Sequence, residues 1–526
     1  MMNKIHVLDC TLRDGGYCNQ WKFGYEHINK IINSLIEANI DIIECGFLTE
    51  KTIYDPDITK FTNLEQIKKI IPQYHEKKIF VAMLNYGEFN IENLPENDGT
   101  SITGIRVAFH KKDLEESLFL CEKIKEKGYL VFIQAMVSLS YTDEEFLNMI
   151  QKVNKLNPYA FYIVDSFGMM KRKDLIRLFY MVEHNLNKSI YIGFHSHNNM
   201  QLAYSNAQSL VDIHTESNLI IDSSVYGMGR GAGNLNTELF VEYLNENAGA
   251  NYSLNPLLTI IDEILNEFYQ QNYWGYSLPN YLSAVYNLHP DYARYLDDKK
   301  TLTVEGINKI FDTMDKEKKF SYDKAYIEDL YQKYMTAGKV QEEHKAELKN
   351  ILEHKKVLLI APGKSSYDEQ SKIIKFSKDN NIITIGVNFE YPVISSDYIF
   401  LSNLRRYREL KIQKKNNCII TSNIPAESAY LQIKYHDLIN KEEAVKDNAG
   451  MMAIKFLVMY GVKEIYLAGF DGYSHDVNEN YGDMNMAFIT KNIILDAMNK
   501  GMCNVLKEFS KKAKIEFLTT PRYIYI

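Results

Sequence analysis

The sequence predicts an α/β protein: a (β/α)8 TIM barrel with a helical extension, followed by a doubly wound, Rossmann-like α/β domain. Three observations carry this reading. The 526-residue chain exceeds what one hydrophobic core normally supports. Between Ile5 and Ser223, eight short apolar runs alternate with amphipathic stretches. A second alternation of strand-like and helix-like segments begins at Val357.

The first eight strands are expected at Ile5 to Asp9, Asp41 to Cys45, Ile79 to Leu84, Gly104 to Phe109, Leu130 to Met136, Ala160 to Val164, Ile190 to Phe194 and Leu219 to Ser223. Helical patterns such as His27 to Ala38 and Leu114 to Lys127 fill the gaps. An open sheet fits the alternation too, but eight repeats favour closure. The barrel is assigned to residues 1–248, a helical, tyrosine-rich extension to 249–345 and the second α/β domain to 346–526. The stretch Lys339 to Lys356 mixes charges of both signs and reads as a helical linker. Beyond it, strands are expected at Val357 to Ala361, Ile382 to Val387, Tyr398 to Leu401, Cys418 to Thr421 and Glu464 to Ala468, with a buried helix at Ala453 to Tyr460. Pro362-Gly363-Lys364-Ser365 follows the first of these, yet its glycine spacing is not that of a P-loop.

Composition narrows the class of function. With 46% hydrophobic and 24% charged residues the chain is ordinary globular protein, and a net charge of -8 argues against nucleic acid as a partner. No apolar run is long enough for a membrane span, and the start lacks the apolar core of a signal peptide, so a cytoplasmic location is expected. The six cysteines show no CxxC pairing and read as reduced thiols.

The chemistry centres on His195-Ser196-His197. Residues i and i+2 of a strand point to the same side, so both imidazoles project together, as two ligands of one metal would. An isolated His-x-His is more often satisfied by backbone or solvent. In a barrel, however, the polar residues at the strand ends converge on one face. These are Arg13 and Asp14, Glu44, Arg106 and His110, Asp165 and Ser166, His195 and His197, and the loop Gly227 to Asn234. Asp14, His195, His197 and Asn234 form a mixed oxygen and nitrogen set. Such a set suits a divalent ion with open positions, Mn or Mg ahead of Zn or Co. That ion can chelate a 2-oxo acid and stabilise an enolate, with Arg13 adding positive charge. The loop Gly227 to Asn234 has four glycines and no P-loop lysine, so it reads as a tight turn that delivers Asn234.

The motifs LDCTLRDGG, IECGF, IRVAFH, VDSFG, GFHSHNN and DSSVYGMGRGAGN, in this order, resemble the metal-dependent aldolase and lyase superfamily that includes HMG-CoA lyase and isopropylmalate synthase. Within it the likeness is greatest to 4-hydroxy-2-oxovalerate aldolases. The resemblance implies that Asp14, His195 and His197 hold the metal, with Asn234 a further or outer ligand. It also implies that Arg13 stabilises the enolate and that Ser166 contacts the substrate carboxylate, while Glu44 and Arg106 are expected at the substrate from their place at the strand ends. The substrates implied are a small 2-oxo acid and an aldehyde, and barrels of this kind commonly form homo-oligomers. The chain departs from the aldolase pattern at Tyr17, where those enzymes carry a basic histidine. A tyrosine is a poor base at neutral pH unless its pKa is depressed. Either Tyr17 acts as acid and base, or His110 or His289 does, or the substrate has changed. The aldolases also have a helical extension that contributes a tyrosine to the site, for which Tyr276 and Tyr281 are candidates here.

The second domain, through VLLIAPGKS, GVNF and NAGMMAIKFLVMYGVKEIYLAGFD, is similar to bacterial sialyltransferase-like domains. That likeness implies a nucleotide sugar lined by Gly363, Ser365 and Asn388, with His475 as base. Asn388 and Asp471 as simple turn caps are the plainer alternative. The two likenesses together point to a carbon-carbon lyase serving surface-glycan biosynthesis. Two other functions stay open: an acyl-CoA-dependent Claisen synthase, and a non-catalytic binding protein of a glycan-assembly complex.

Overall fold

In the first unit, eight parallel strands close on themselves. They are β1 (Ile5–Asp9), β2 (Ile42–Leu48), β3 (Ile79–Asn85), β4 (Gly104–Phe109), β5 (Leu130–Ala135), β6 (Ala160–Asp165), β7 (Tyr191–Ser196) and β8 (Leu219–Ser223). Each pairs with its neighbours in sequence, and the β1–β8 and β1–β2 ladders complete the ring. A two-residue strand, Lys60–Phe61, rides on the end of β2. The computed structural model describes residues 4–73, 78–338, 343–379, 381–426 and 428–524.

The two-residue period of a strand sorts the barrel's side chains. Leu8, Ile42, Val81, Phe132, Ala160, Tyr162 and Ile220 point inward and fill the barrel with an apolar plug. Their neighbours Val7, Ile43, Ala82, Ile133, Phe161, Ile163 and Ile221 point outward beneath the helices. Helix Tyr25–Glu37 buries Ile28, Ile31, Ile32 and Leu35, one helical face, in that outer core. Each such side chain is worth roughly 1.5–3 kcal/mol of burial. Helix Asp143–Leu156 starts at a capping box, in which Thr142 and Glu145 satisfy each other's backbone N–H groups. After β3 only a single 3-10 turn, Ile91–Asn93, stands where the other gaps carry helices. Gly193 on β7 is required by close packing, since a Cβ there would lie 2.3 Å from the Tyr162 ring.

Two steps further along each inward row, polar groups replace the plug: Glu44 after Ile42, Gln134 after Phe132 and Asp222 after Ile220. Arg106 of β4 joins them, and all four are buried. The strand period thus sets a charged layer directly on the apolar one, toward the carboxyl ends of the strands.

The first unit comprises Met1–Arg294 with Lys319–Tyr322, and the second comprises Tyr295–Lys318 with Asp323–Ile526. Helix Leu278–Val285, which has proline in its first turn, sets Ala284 against Val137, Phe167 and Met169 at the ends of β5 and β6. The second unit carries a seven-stranded parallel sheet: β9 (Lys356–Ile360), β10 (Ile382–Val387), β11 (Tyr398–Leu401), β12 (Cys418–Thr421), β13 (Leu431–Ile433), β14 (Glu464–Ala468) and β15 (Lys514–Phe517). Its order is β13-β12-β11-β10-β9-β14-β15. The direction of winding reverses between β9 and β14, as in a doubly wound sheet. Helix Ala449–Met459 precedes β14, and helix Lys345–Glu353 occupies the charged stretch read as a linker. Residues 339–342 of that stretch lie outside the described residues. Among the described residues, no helix is long and apolar enough to cross a membrane.

Candidate metal centre

The centre is built on the turn that leaves β1. The Asp9 carboxylate accepts the Thr11 backbone N–H at 2.9 Å and the Thr237 hydroxyl at 2.8 Å, which ties the turn to the start of the last barrel helix. Burial pushes the Asp9 carboxyl up to about 6, against the pull of those hydrogen bonds. The short helix Thr11–Asp14 follows, with all four residues buried, and presents Arg13 and Asp14 together.

Asp14 Oδ1 accepts from Arg13 Nη1 at 2.5 Å, and its Oδ2 accepts from Asn234 Nδ2 at 2.6 Å and stands 3.8 Å from His197 Nδ1. Donor atoms of Asp14, His195 and His197 lie within 4.8 Å of one another. Burial alone would raise the Asp14 carboxyl, but the Arg13 charge and the two imidazoles overcome it and hold it well below the usual carboxylate range. Burial, with nearby cations, pushes His197 down to about 4, so its ring is neutral at pH 7. His195 Nδ1 donates to Asp222 Oδ2 at 2.9 Å and His197 Nδ1 donates to the Arg230 carbonyl at 3.3 Å, the arrangement that orients a metal-binding imidazole.

Beneath these groups lies the charged layer. Arg106 donates from Nη1 to Glu44 Oε2 at 2.8 Å and from Nη2 to Asp222, while Arg13 Nε donates to the same Glu44 oxygen at 2.9 Å. Glu44 and Arg106, expected at the substrate, are instead enclosed and committed to this network. They fix Arg13 and Asp222 in place. Arg13 Nη2, Glu44 Oε1 and Asn234 Oδ1 are buried with no hydrogen-bond partner.

The residues fit a divalent ion. In this ion-paired network three buried carboxylates, Asp14, Glu44 and Asp222, meet two buried guanidiniums, Arg13 and Arg106, so negative charge is in excess even before the buried Asp9 is counted. The unpartnered Asn234 oxygen lies beside Asp14. The glycine loop serves the same end: a Cβ on Gly229 would fall 2.2 Å from Asn234 Nδ2 and 2.8 Å from Asp14 Oδ2.

The other expected residues are dispersed. Ser166 Oγ accepts the Val137 N–H at 2.8 Å at the end of β6, beside Asp165, which receives the Met169 and Met170 N–H groups, each at 3.0 Å. Tyr17 is 43% exposed at the barrel mouth, its ring 4.7 Å from that of Trp21 and 5.6 Å from the Arg230 guanidinium. Desolvation raises its phenol above the ordinary value, so it keeps its proton at neutral pH. His289 also comes to the mouth, stacked on Tyr322, edge-on to Phe167 and in contact with Arg230 Nη2. Burial, then the Arg230 charge, pushes it down to about 4. Tyr281 packs on Tyr276 with ring centroids 6.3 Å apart and stays partly exposed.

In the second unit, Gly363 and Asn388 line a cavity of about 570 Å3 at the carboxyl ends of β9 and β10. Ser365 and His475 do not line it. The Ser365 hydroxyl is bound to Asp471 and Thr519, and His475 is turned outward to Asp496 at 2.8 Å.

Sequence reasoning assigned no role to Asp222, Gln134 or Arg230. Asp222 was legible from its place two residues after Ile220 on the last barrel strand. Arg230 sits in a loop whose pattern is dominated by glycines.

Fold and site together define a (β/α)8 barrel with a candidate metal site, Asp14, His195 and His197, at the carboxyl ends of its strands. The model of the HMGL-like family matches residues 4–262, which takes in the whole barrel. The 4-hydroxy-2-oxovalerate aldolase of Geobacillus genomosp. 3 is 28% identical over 245 residues, 46% of this chain and 70% of the relative. That of Pseudoalteromonas translucida is 25% identical over 247 residues, 47% of this chain and 71% of the relative. Among solved structures, the N-terminal domain of a proposed aldolase from Bacteroides vulgatus is 27% identical, with a TM-score of 0.49 over 58% of this chain and 99% of that one. Residues 4–262 are thus similar to the HMGL-like family and to 4-hydroxy-2-oxovalerate aldolases.

Proposed function

We propose that the barrel is a divalent-metal-dependent carbon-carbon lyase, which cleaves a 4-hydroxy-2-oxo acid to pyruvate and an aldehyde or runs the reverse condensation. The observation that carries this reading is the buried Asp14, His195 and His197 set beside an arginine with an uncommitted Nη2. When bound there, Mn or Mg polarises the 2-oxo carbonyl as a Lewis acid.

The chain's own groups complete the chemistry. A base takes the C4 hydroxyl proton, the C3–C4 bond breaks, and its electron pair becomes the C2–C3 enolate as the aldehyde departs. Arg13 balances the charge on the enolate oxygen. Returning the proton to C3 yields pyruvate. His289, neutral at pH 7, is assigned as the base, whereas Tyr17 holds its proton and serves as a hydrogen-bond donor at the mouth. Ser166, whose oxygen already accepts from Val137, retains its hydroxyl proton to donate to the substrate carboxylate.

Enolisation of pyruvate precedes condensation, so deuterium uptake into its methyl group in D2O, followed by proton NMR with Mn or Mg, tests the reading without knowledge of the aldehyde. Asp14→Asn is expected to lose metal and exchange together. Metal binding without exchange in the unmodified protein would refute it.

For the second unit we propose nucleotide-sugar binding in the cavity at the strand-order reversal. Gly363 and Asn388 support this, with Arg405 and Phe470 also in its lining. Calorimetric titration with CMP and UDP tests it, and no heat with either would remove the proposal.

A further inference from the structure

The metal centre accounts for one end of a substrate, and Arg230 stands where the other end would lie. Its backbone belongs to the centre: Gly229 abuts Asp14 and Asn234, the Arg230 carbonyl accepts from His197, and a Cβ on Gly231 would fall 2.6 Å from Asn199 Oδ1. From that fixed start the side chain runs out across the mouth, with its guanidinium 5.6 Å from the Tyr17 ring centroid and Nη2 against His289. Ring faces and a neutral imidazole hold a cation without neutralising it. The nearby carboxylate is Asp291, whose Oδ2 is 4.0 Å away and whose Oδ1 is 3.5 Å from Arg294. One carboxylate thus stands between two guanidiniums, leaving a positive charge at the mouth.

We propose that Arg230 binds a second anionic group of the substrate, a carboxylate or phosphate a few carbons beyond the bond that is made or broken. The preferred aldehyde is then an acidic one. This rests on the lyase reading above. An arginine presents a planar fork of donors suited to either anion, and its place at the mouth selects the acceptor while the buried centre handles the 2-oxo acid.

The test compares acceptors in the condensation with pyruvate: propionaldehyde, succinic semialdehyde and glyceraldehyde 3-phosphate, with the metal-loaded full-length chain. The unmodified protein is expected to favour one of the acidic aldehydes over propionaldehyde in kcat/KM, and which of the two identifies the anion. Arg230→Gln should reduce that preference roughly 10- to 100-fold, the worth of a charged hydrogen bond. Arg230→Lys should keep part of it. Circular dichroism of both variants guards against loss of fold, and the preference ratio is unaffected by the fraction of active protein. If pyruvate exchange proceeds but neutral and acidic aldehydes react alike, or if Arg230→Gln keeps the preference, the inference fails while the lyase reading stands. If exchange itself is absent, the lyase reading has failed first.

Discussion

Replacing Asp222 with asparagine probes the link between the charged layer and the metal. Asp222 Oδ2 receives both the His195 Nδ1–H, at 2.9 Å, and an N–H of Arg106, with all three side chains buried. An amide oxygen at the same place could accept both bonds, so geometry survives while charge is lost. Arg106 then keeps only Glu44, and the ion-paired network goes from three carboxylates against two guanidiniums to an even count. Breaking a buried ion pair from one side costs about 3–5 kcal/mol, and retained hydrogen bonding places this change toward the lower figure. For a unit of this size a loss of 3 kcal/mol lowers Tm by roughly 6–12 °C. His195, no longer oriented by an anion, becomes a weaker ligand, and metal affinity should fall about 10- to 100-fold. Manganese binding followed by electron paramagnetic resonance gives the affinity, and calorimetry gives Tm with and without metal. An affinity within twofold of the unmodified protein would show that Asp222 does not set the His195 ring, and would undo the ligand assignment built on it.

Gly229→Ala forces a methyl into Asn234 and Asp14, so metal should be lost with a modest change in Tm, as checked by metal analysis of the purified variant. The His289 ring is depressed to about 4 from 6.5, so the unfolded chain binds the extra proton between those values. Its contribution to stability is therefore complete above pH 6.5 and is lost as pH falls toward 4, up to about 3 kcal/mol. His289→Gln should flatten that slope in urea melts taken across the window. If His289 is the base, the acid limb of kcat/KM lies near pH 4 and not near 6.5, and a limb at 6.5 would exclude it.

The barrel was legible because its strands are short apolar runs at even spacing, a pattern that comes from burial on both faces. Asp14, His195 and His197 were legible because strand ends converge. Glu44 and Arg106 were recognised as polar strand residues but expected at the substrate. The step that places them one layer lower depends on inward parity, which the apolar run around each does not reveal. Ser365 shows a second limit. In sequence it follows a glycine after a strand, as a ligand-binding serine would, yet its partners Asp471 and Thr519 lie more than a hundred residues away. Strand β15 was missed because it alternates between exposed and half-buried residues and offers no apolar run.

Charge connects these observations. A buried layer with excess negative charge would repel the carboxylate of a 2-oxo acid, and Arg13 cannot offset this alone, since Nη1 and Nε are already given to Asp14 and Glu44. A divalent ion held by Asp14, His195 and His197 would offset that excess. At the mouth, Arg230 shares the single Asp291 carboxylate with Arg294, which leaves a positive charge there. Its placement is therefore better explained by a second acidic group than by the 2-oxo acid alone.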